Sequence, residues 1–173
     1  MKKSLLALAI AAIIGLSFTS CDPTAKTNAE LLTGATNGWV LASATSEPGY
    51  ELASGKIATD LINDGYLYES EVDEIITFKE DGTQIIDPGK NVDPTFGYQT
   101  PVTAAWNLSL DQSTLNMQIP FFYNDDNTSY NAQVENCRIV SLTNKEMVLA
   151  YTFTDETSTA KGTYTFTLTY KAK

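Results

Sequence analysis

The sequence predicts an all-β protein: an eight-stranded antiparallel up-and-down barrel with a short N-terminal helix and one long insert after the first strand. Three observations predict it. Apolar and polar residues alternate with a period of two, most clearly in "YTFTLTY" at 164–170 and "MVLAYTFT" at 147–154. Turn signals separate such runs, as in "EDG" at 80–82 and "DPG" at 87–89. No helical patterns alternate with the strands, as a parallel sheet would require.

Lys2 and Lys3 precede an apolar run, Leu5 to Leu16, which is too short to span a bilayer and has the length of a signal-peptide core. The run closes on "LSFTSC", with the small residue Ser20 directly before Cys21. This ending resembles the lipobox of bacterial lipoproteins, with Phe18 where an aliphatic residue is usual. The resemblance implies that residues 1–20 are a lipoprotein signal peptide and that Cys21 is acylated as the first mature residue. Residues 21–30 then read as a flexible tether, reaching roughly 35 Å at full extension. Residues 31–173 read as one barrel domain.

Within that domain "AELLTG" (29–34) predicts one or two helical turns, capped at Asn28 and stopped by Gly34. Strands follow at 37–45, 73–79, 83–87, 102–110, 114–122, 131–142, 147–154 and 161–171. Glu47 to Val72 is the long insert, and a short helix burying Ile57 and Leu61 is expected inside it. In the last hairpin Tyr164, Phe166, Leu168 and Tyr170 point inward with Met147, Leu149, Tyr151 and Phe153. The alternate residues, mostly threonine, face solvent. Eight such strands close into a barrel wide enough for side chains or one small ligand.

Composition narrows the function. The chain has 11 Lys+Arg against 21 Asp+Glu, a formal charge of −10. Loss of Lys2 and Lys3 with the signal makes it more acidic still. Such a surface repels nucleic acid and bare anionic lipid, so the membrane is held through the lipid on Cys21. Histidine is absent. That excludes Ser-His-Asp and Cys-His catalysis and histidine-held zinc or haem. With Cys21 acylated, Cys137 has no intrachain partner and reads as a small core residue on a strand. "STAK" (158–161) matches Ser-x-x-Lys but sits in a polar hairpin loop without the further partners a serine nucleophile needs. No pair of carboxylates stands in an apolar setting suited to glycoside hydrolysis. No enzyme and no cofactor are expected.

"DLINDGYLYESE" (60–71) places Asp60, Asp64, Gly65 and Glu71 where a twelve-residue calcium loop wants carboxylates and a turn glycine. Ile62, at the third position, offers no side-chain oxygen, and a strand follows where an EF-hand has its second helix. Asp60, Asp64 and Glu71 therefore remain metal candidates only for a looser calcium site. A solvated acidic loop turned at Asp64-Gly65 is the expected form.

Four segments, in order, carry a resemblance: "LLTGATNGWVLAS", "IITFKEDGTQI", "AAWNLSLDQSTLNM" and "RIVSLTNKEMVLAY". They are similar to the lipocalin-like domains of Bacteroidetes lipoproteins, in which a Gly/Trp first strand, a "TF-x-x-DGT" hairpin, a "W-x-L" strand and an "SLT" turn recur. The resemblance spans about residues 31–171. It implies a lipocalin-like barrel lipid-anchored in the cell envelope, at the outer membrane. It implies no particular activity, because fold does not determine function. Trp39, Trp106, Tyr151, Phe153, Tyr164 and Phe166 are the candidates for lining a ligand cavity, if they do not simply fill the core. Phe121, Phe122 and Tyr123, before a polar turn, could form a binding lip or end the core. The expectation is a monomer that binds a small, partly apolar molecule. The alternative is a filled barrel whose loops contact another envelope protein or a glycan.

The anchor is directly testable. Cys21→Ala should release the protein from membranes or leave it unprocessed. A variant that still sediments with membranes in high salt without detergent would contradict the lipobox assignment.

Overall fold

The computed structural model describes residues 25–92, 99–122, 130–156 and 161–173, with backbone alone at 120–122 and 130–132. Its first element is α1 (Asn28–Gly34). The cap is Thr27, one residue before the expected Asn28. Thr27 Oγ1 accepts from Glu30 N at 3.2 Å, and the Glu30 carboxylate accepts from Thr27 N at 2.7 Å. Asn28 instead reaches outward to the chain turn at Gln112. Its side chain donates to the Gln112 carbonyl at 2.8 Å and its backbone N to Gln112 Oε1 at 3.0 Å.

The strands are β1 (Trp39–Glu51), β2 (Ile57–Asp60), β3 (Ile75–Phe78), β4 (Thr83–Asp87), β5 (Val102–Leu108), β6 (Thr114–Phe122), β7 (Tyr130–Leu142), β8 (Glu146–Asp155) and β9 (Gly162–Ala172). A four-residue helix, α2 (Glu69–Val72), precedes β3. The eight expected strands are all present. Every pairing is antiparallel, and consecutive strands from β3 to β9 are neighbours. β1 pairs with β3 at one edge and with β9 at the other, so the sheet closes as an up-and-down barrel.

The insert differs from expectation. Ile57–Asp60 is a strand, not a helix, and β1 continues to Glu51 instead of ending at 45. The reason lies in β1. β3 covers only Trp39 and Val40 along one edge of β1, leaving the rest of that edge unpaired. Thr45 faces Thr167 on β9 and Asp60 on β2, so β2 occupies this open edge. Unpaired strand edges cost hydrogen bonds, and the insert supplies them. Leu61 is buried as expected, whereas Ile57 is 54% exposed.

One end of the barrel is closed by α1. Trp39 is fully buried and its indole N–H donates to the Leu32 carbonyl at 3.0 Å. Just before it, Gly38 adopts φ +84°, and a Cβ there would lie 2.5 Å from Ile75 Cγ2, so glycine alone fits. Trp106 donates to the Lys79 and Thr83 carbonyls at 3.0 and 2.8 Å and meets Phe78 edge-on at 5.2 Å. Leu115, Met147, Leu149, Ile76 and Leu41 complete this buried layer.

The inward and outward faces follow the alternation. Tyr164, Phe166 and Tyr170 are buried, while Thr152 and Thr165 pair their hydroxyls at 2.9 Å on the outside. Removing the buried Phe166 ring as Phe166→Ala should cost about 3–5 kcal/mol. Thr165→Ala, which loses one exposed cross-strand contact, should cost under about 1 kcal/mol. Equal melting temperatures for the two variants would contradict the face assignment.

Candidate functional site

The end opposite α1 carries an aromatic cluster. Phe153 on β8 and Tyr164 and Phe166 on β9 point inward by alternation. Two further rings join them from the insert side. Tyr50, near the end of β1, lies 4.9 Å from Tyr164 and 5.1 Å from Tyr66. Tyr66 meets Phe166 edge-on at 5.1 Å, and Phe153 meets Phe166 at 4.9 Å. Tyr151 stacks on Phe153 at 5.6 Å. Edge-to-face contacts set positive ring edges against negative faces, so the cluster is favourable beyond its buried area.

Tyr66 reaches this place because the insert is tied down. Leu61 is fully buried, its N–H donates to the Ala44 carbonyl at 2.8 Å, and its own carbonyl accepts from Tyr66 and Leu67. Burial pushes the Tyr66 phenol up to about 12, with the Tyr50 phenol and the Glu71 carboxylate adding to it. Tyr50 donates to Asp155 Oδ2 at 2.8 Å. Outside the cluster, Tyr50 and Tyr66 also line an open cleft of about 450 Å³ with Leu52, Gly65 and Tyr68. Tyr68 is 71% exposed at its rim.

Polar groups also face the interior. Glu135 on β7 pairs with Met117 on β6, which is 2% exposed, and precedes the fully buried Cys137 by two residues. Paired residues share a face, so Glu135 points inward. Burial pushes its carboxyl above the ordinary range. Gln84 is fully buried beside Phe78. Its side-chain N–H donates to the Gln118 carbonyl at 2.6 Å, and its Oε1 has no partner among the described residues. Burial and the Glu135 charge push the Cys137 thiol up to about 12, which leaves it an unreactive core group.

The six candidate lining residues therefore divide. Tyr151, Phe153, Tyr164 and Phe166 come together at the end opposite α1. Trp39 and Trp106 lie at the sealed end with their indole N–H groups held by backbone carbonyls, and they serve the core. Tyr50, Tyr66, Gln84 and Glu135 were missed. For Glu135 a signal existed, since alternation from an inward Cys137 places it on the same face.

Asp60, Asp64 and Glu71 do not converge. Asp60 accepts from Ile62 N, Asn63 N and the Asn63 side chain, which holds its carboxyl below the ordinary range. Asp64 accepts from Thr59 N and Asp60 N and pairs with Lys56 at 3.0 Å. Glu71 accepts from Tyr68 N at the start of α2. Among the described residues no group of three or more acidic or cysteine side chains is placed to hold a metal. Cys21, Tyr123 and residues 158–160 of "STAK" lie outside the described residues, and for Phe121 and Phe122 only the backbone is described.

No protein-family model matches the chain, and no curated protein matches it. Among solved structures it is similar to bovine odorant binding protein in complex with a selenium-containing odorant. The TM-score is 0.40 and the identity 15%, over 86% of this chain and 74% of that one.

Glu74, beside the insert, gives the clearest pH dependence. Burial, then the Glu71 and Asp73 charges, push its carboxyl from 4.5 to about 8. The folded state keeps a proton that the unfolded state has released, so this contribution is complete below about pH 4.5 and is lost as pH rises to about 8. Glu74→Gln should melt several degrees higher than the parent near pH 8.5 and almost equally near pH 4. The same pH slope in both proteins would show that Glu74 is not the group responsible.

Proposed function

We propose that this chain is a non-enzymatic binding protein that takes a small, partly apolar molecule at the aromatic end of its barrel. The observation that carries this reading is the joining of Tyr50, Tyr66, Phe153, Tyr164 and Phe166 in one cluster, two of whose rings also open on a cleft of about 450 Å³. Pockets for small ligands combine an apolar, aromatic lining with a few placed polar groups, and the tyrosine hydroxyls supply those here. The chemistry favours binding over catalysis. The chain has no histidine, and the Cys137 thiol is buried and unreactive. We further propose that the protein is a lipocalin-like lipoprotein of the kind found in Bacteroidetes. It would be anchored through Cys21 to the outer membrane and would act as a monomer in the cell envelope. The basic start, short apolar core and small residue before Cys21 support that placement.

A neutral environment-sensitive dye, N-phenyl-1-naphthylamine, tests the binding reading. Its fluorescence should rise saturably with the protein. Tyr66→Ala should weaken binding about tenfold, the scale of one lost aromatic anchor, while Thr165→Ala should leave it unchanged. Absence of saturable binding, or equal affinity in both variants, would remove the aromatic end as the site.

A further inference from the structure

We propose that the barrel interior beneath the aromatic cluster is a site for a small organic cation, a primary ammonium on an aromatic or aliphatic body, with Glu135 as its counter-charge and Gln84 Oε1 as a second acceptor. This names the ligand class for the binding reading above and rests on it.

The placement of Glu135 is the first argument. It shares the inward face with Met117 and Cys137. Its charge is felt by the Tyr66, Tyr151 and Tyr170 hydroxyls and the Cys137 thiol. Those groups come from the insert, β8, β9 and β7, and they meet only inside the barrel. Among the described residues Glu135 takes part in neither ion pair. Every described lysine, and Arg138, is exposed, so no resident cation is buried inside. An inward carboxylate without a counter-charge is costly, and such groups mark functional sites.

The second argument is independent. Gln84 comes from β4, is fully buried, and spends its N–H group on the Gln118 carbonyl. Gln118 follows Met117, the residue paired with Glu135, so the Gln84 amide reaches across β5 to the strand that neighbours β7. Its Oε1 is left without a donor. Buried polar atoms are almost always partnered, and the orphan here is an acceptor. The interior thus offers two acceptors and asks for a donor-rich, positively charged guest. The tyrosine and phenylalanine rings above them suit the same guest, because a cation is attracted to ring faces. A metal ion suits it less well. Calcium takes six to eight oxygens, and one carboxylate with one amide cannot supply them.

Phenethylamine, phenethyl alcohol and 3-phenylpropionate share a shape and differ in charge, so they separate the possibilities. Titration calorimetry at neutral pH should find the amine at least tenfold tighter than the alcohol, and the acid weakest. Glu135→Gln keeps the shape and removes the charge. It should bring the amine to within about twofold of the alcohol, with a thermal melt confirming the fold. Equal affinity of amine and alcohol for the parent protein would overturn the proposal, and so would an amine preference that survives Glu135→Gln. If the neutral naphthylamine dye still binds in either case, only the cation assignment falls. If the dye does not bind, the barrel-binding reading falls with it.

Discussion

The pairing of β1 with β9 is the interaction on which the rest of this structure depends. It joins the first and last strands from Trp39 opposite Ala172 to Glu47 opposite Thr165. Without it the sheet would be open, with two long unpaired edges and no enclosed face. With it, the alternation along each strand gains a meaning, since one set of side chains is inside a barrel. Because the partners lie at opposite ends of the domain, this contact closes nearly the whole chain. The entropic cost of closure grows only slowly with loop length, so a few buried residues such as Trp39 and Tyr170 offset much of it.

β1 does this while serving two other partners. A register shift between Leu41 and Ser43 interrupts its pairing with β9, and another between Thr45 and Tyr50 interrupts its pairing with β2. The edge that β3 leaves uncovered is filled by β2, and β1 runs on past it to Tyr50 in the aromatic cluster. The insert is therefore part of the site's construction. Its own acidic residues hold it in shape, since Asp60 and Asp64 spend their oxygens on backbone N–H groups of the same turn.

The two ends of the barrel are built on different principles. At the α1 end both indole N–H groups reach carbonyls, and Asn28 donates two hydrogen bonds to Gln112. Gln84, paired with Phe78 beside Trp106, is the exception there, with its Oε1 unpartnered among the described residues, while the Glu135 carboxylate acts on the Tyr66 and Tyr151 hydroxyls of the aromatic cluster. Buried polar atoms without partners are rare in folded chains, so the Gln84 Oε1 stands out from the apolar core around it.

Much of the fold was legible in the sequence. Period-two alternation is a local property of each strand, so the eight strands, the turns and the inward positions of Trp106 and Phe166 followed from it. The cap of α1 was misplaced by one residue because Thr27 and Asn28 are both good caps, and only the reach of Asn28 to Gln112 separates them. β2 was not legible. Its four residues form a strand because β1 leaves an edge free, and that edge exists only in the closed barrel. The site divides along the same line. Tyr151, Phe153, Tyr164 and Phe166 were visible because they lie on regular strands. Tyr50 follows Pro48 and Gly49, and Tyr66 lies in an insert with no period, so nothing local points either of them inward. What the sequence determined by itself was which side chains share a face, because that depends on neighbours two residues apart. What the tertiary structure decided was which faces meet across the barrel and which polar groups stay unpartnered there, because that depends on contacts between strands far apart in the chain.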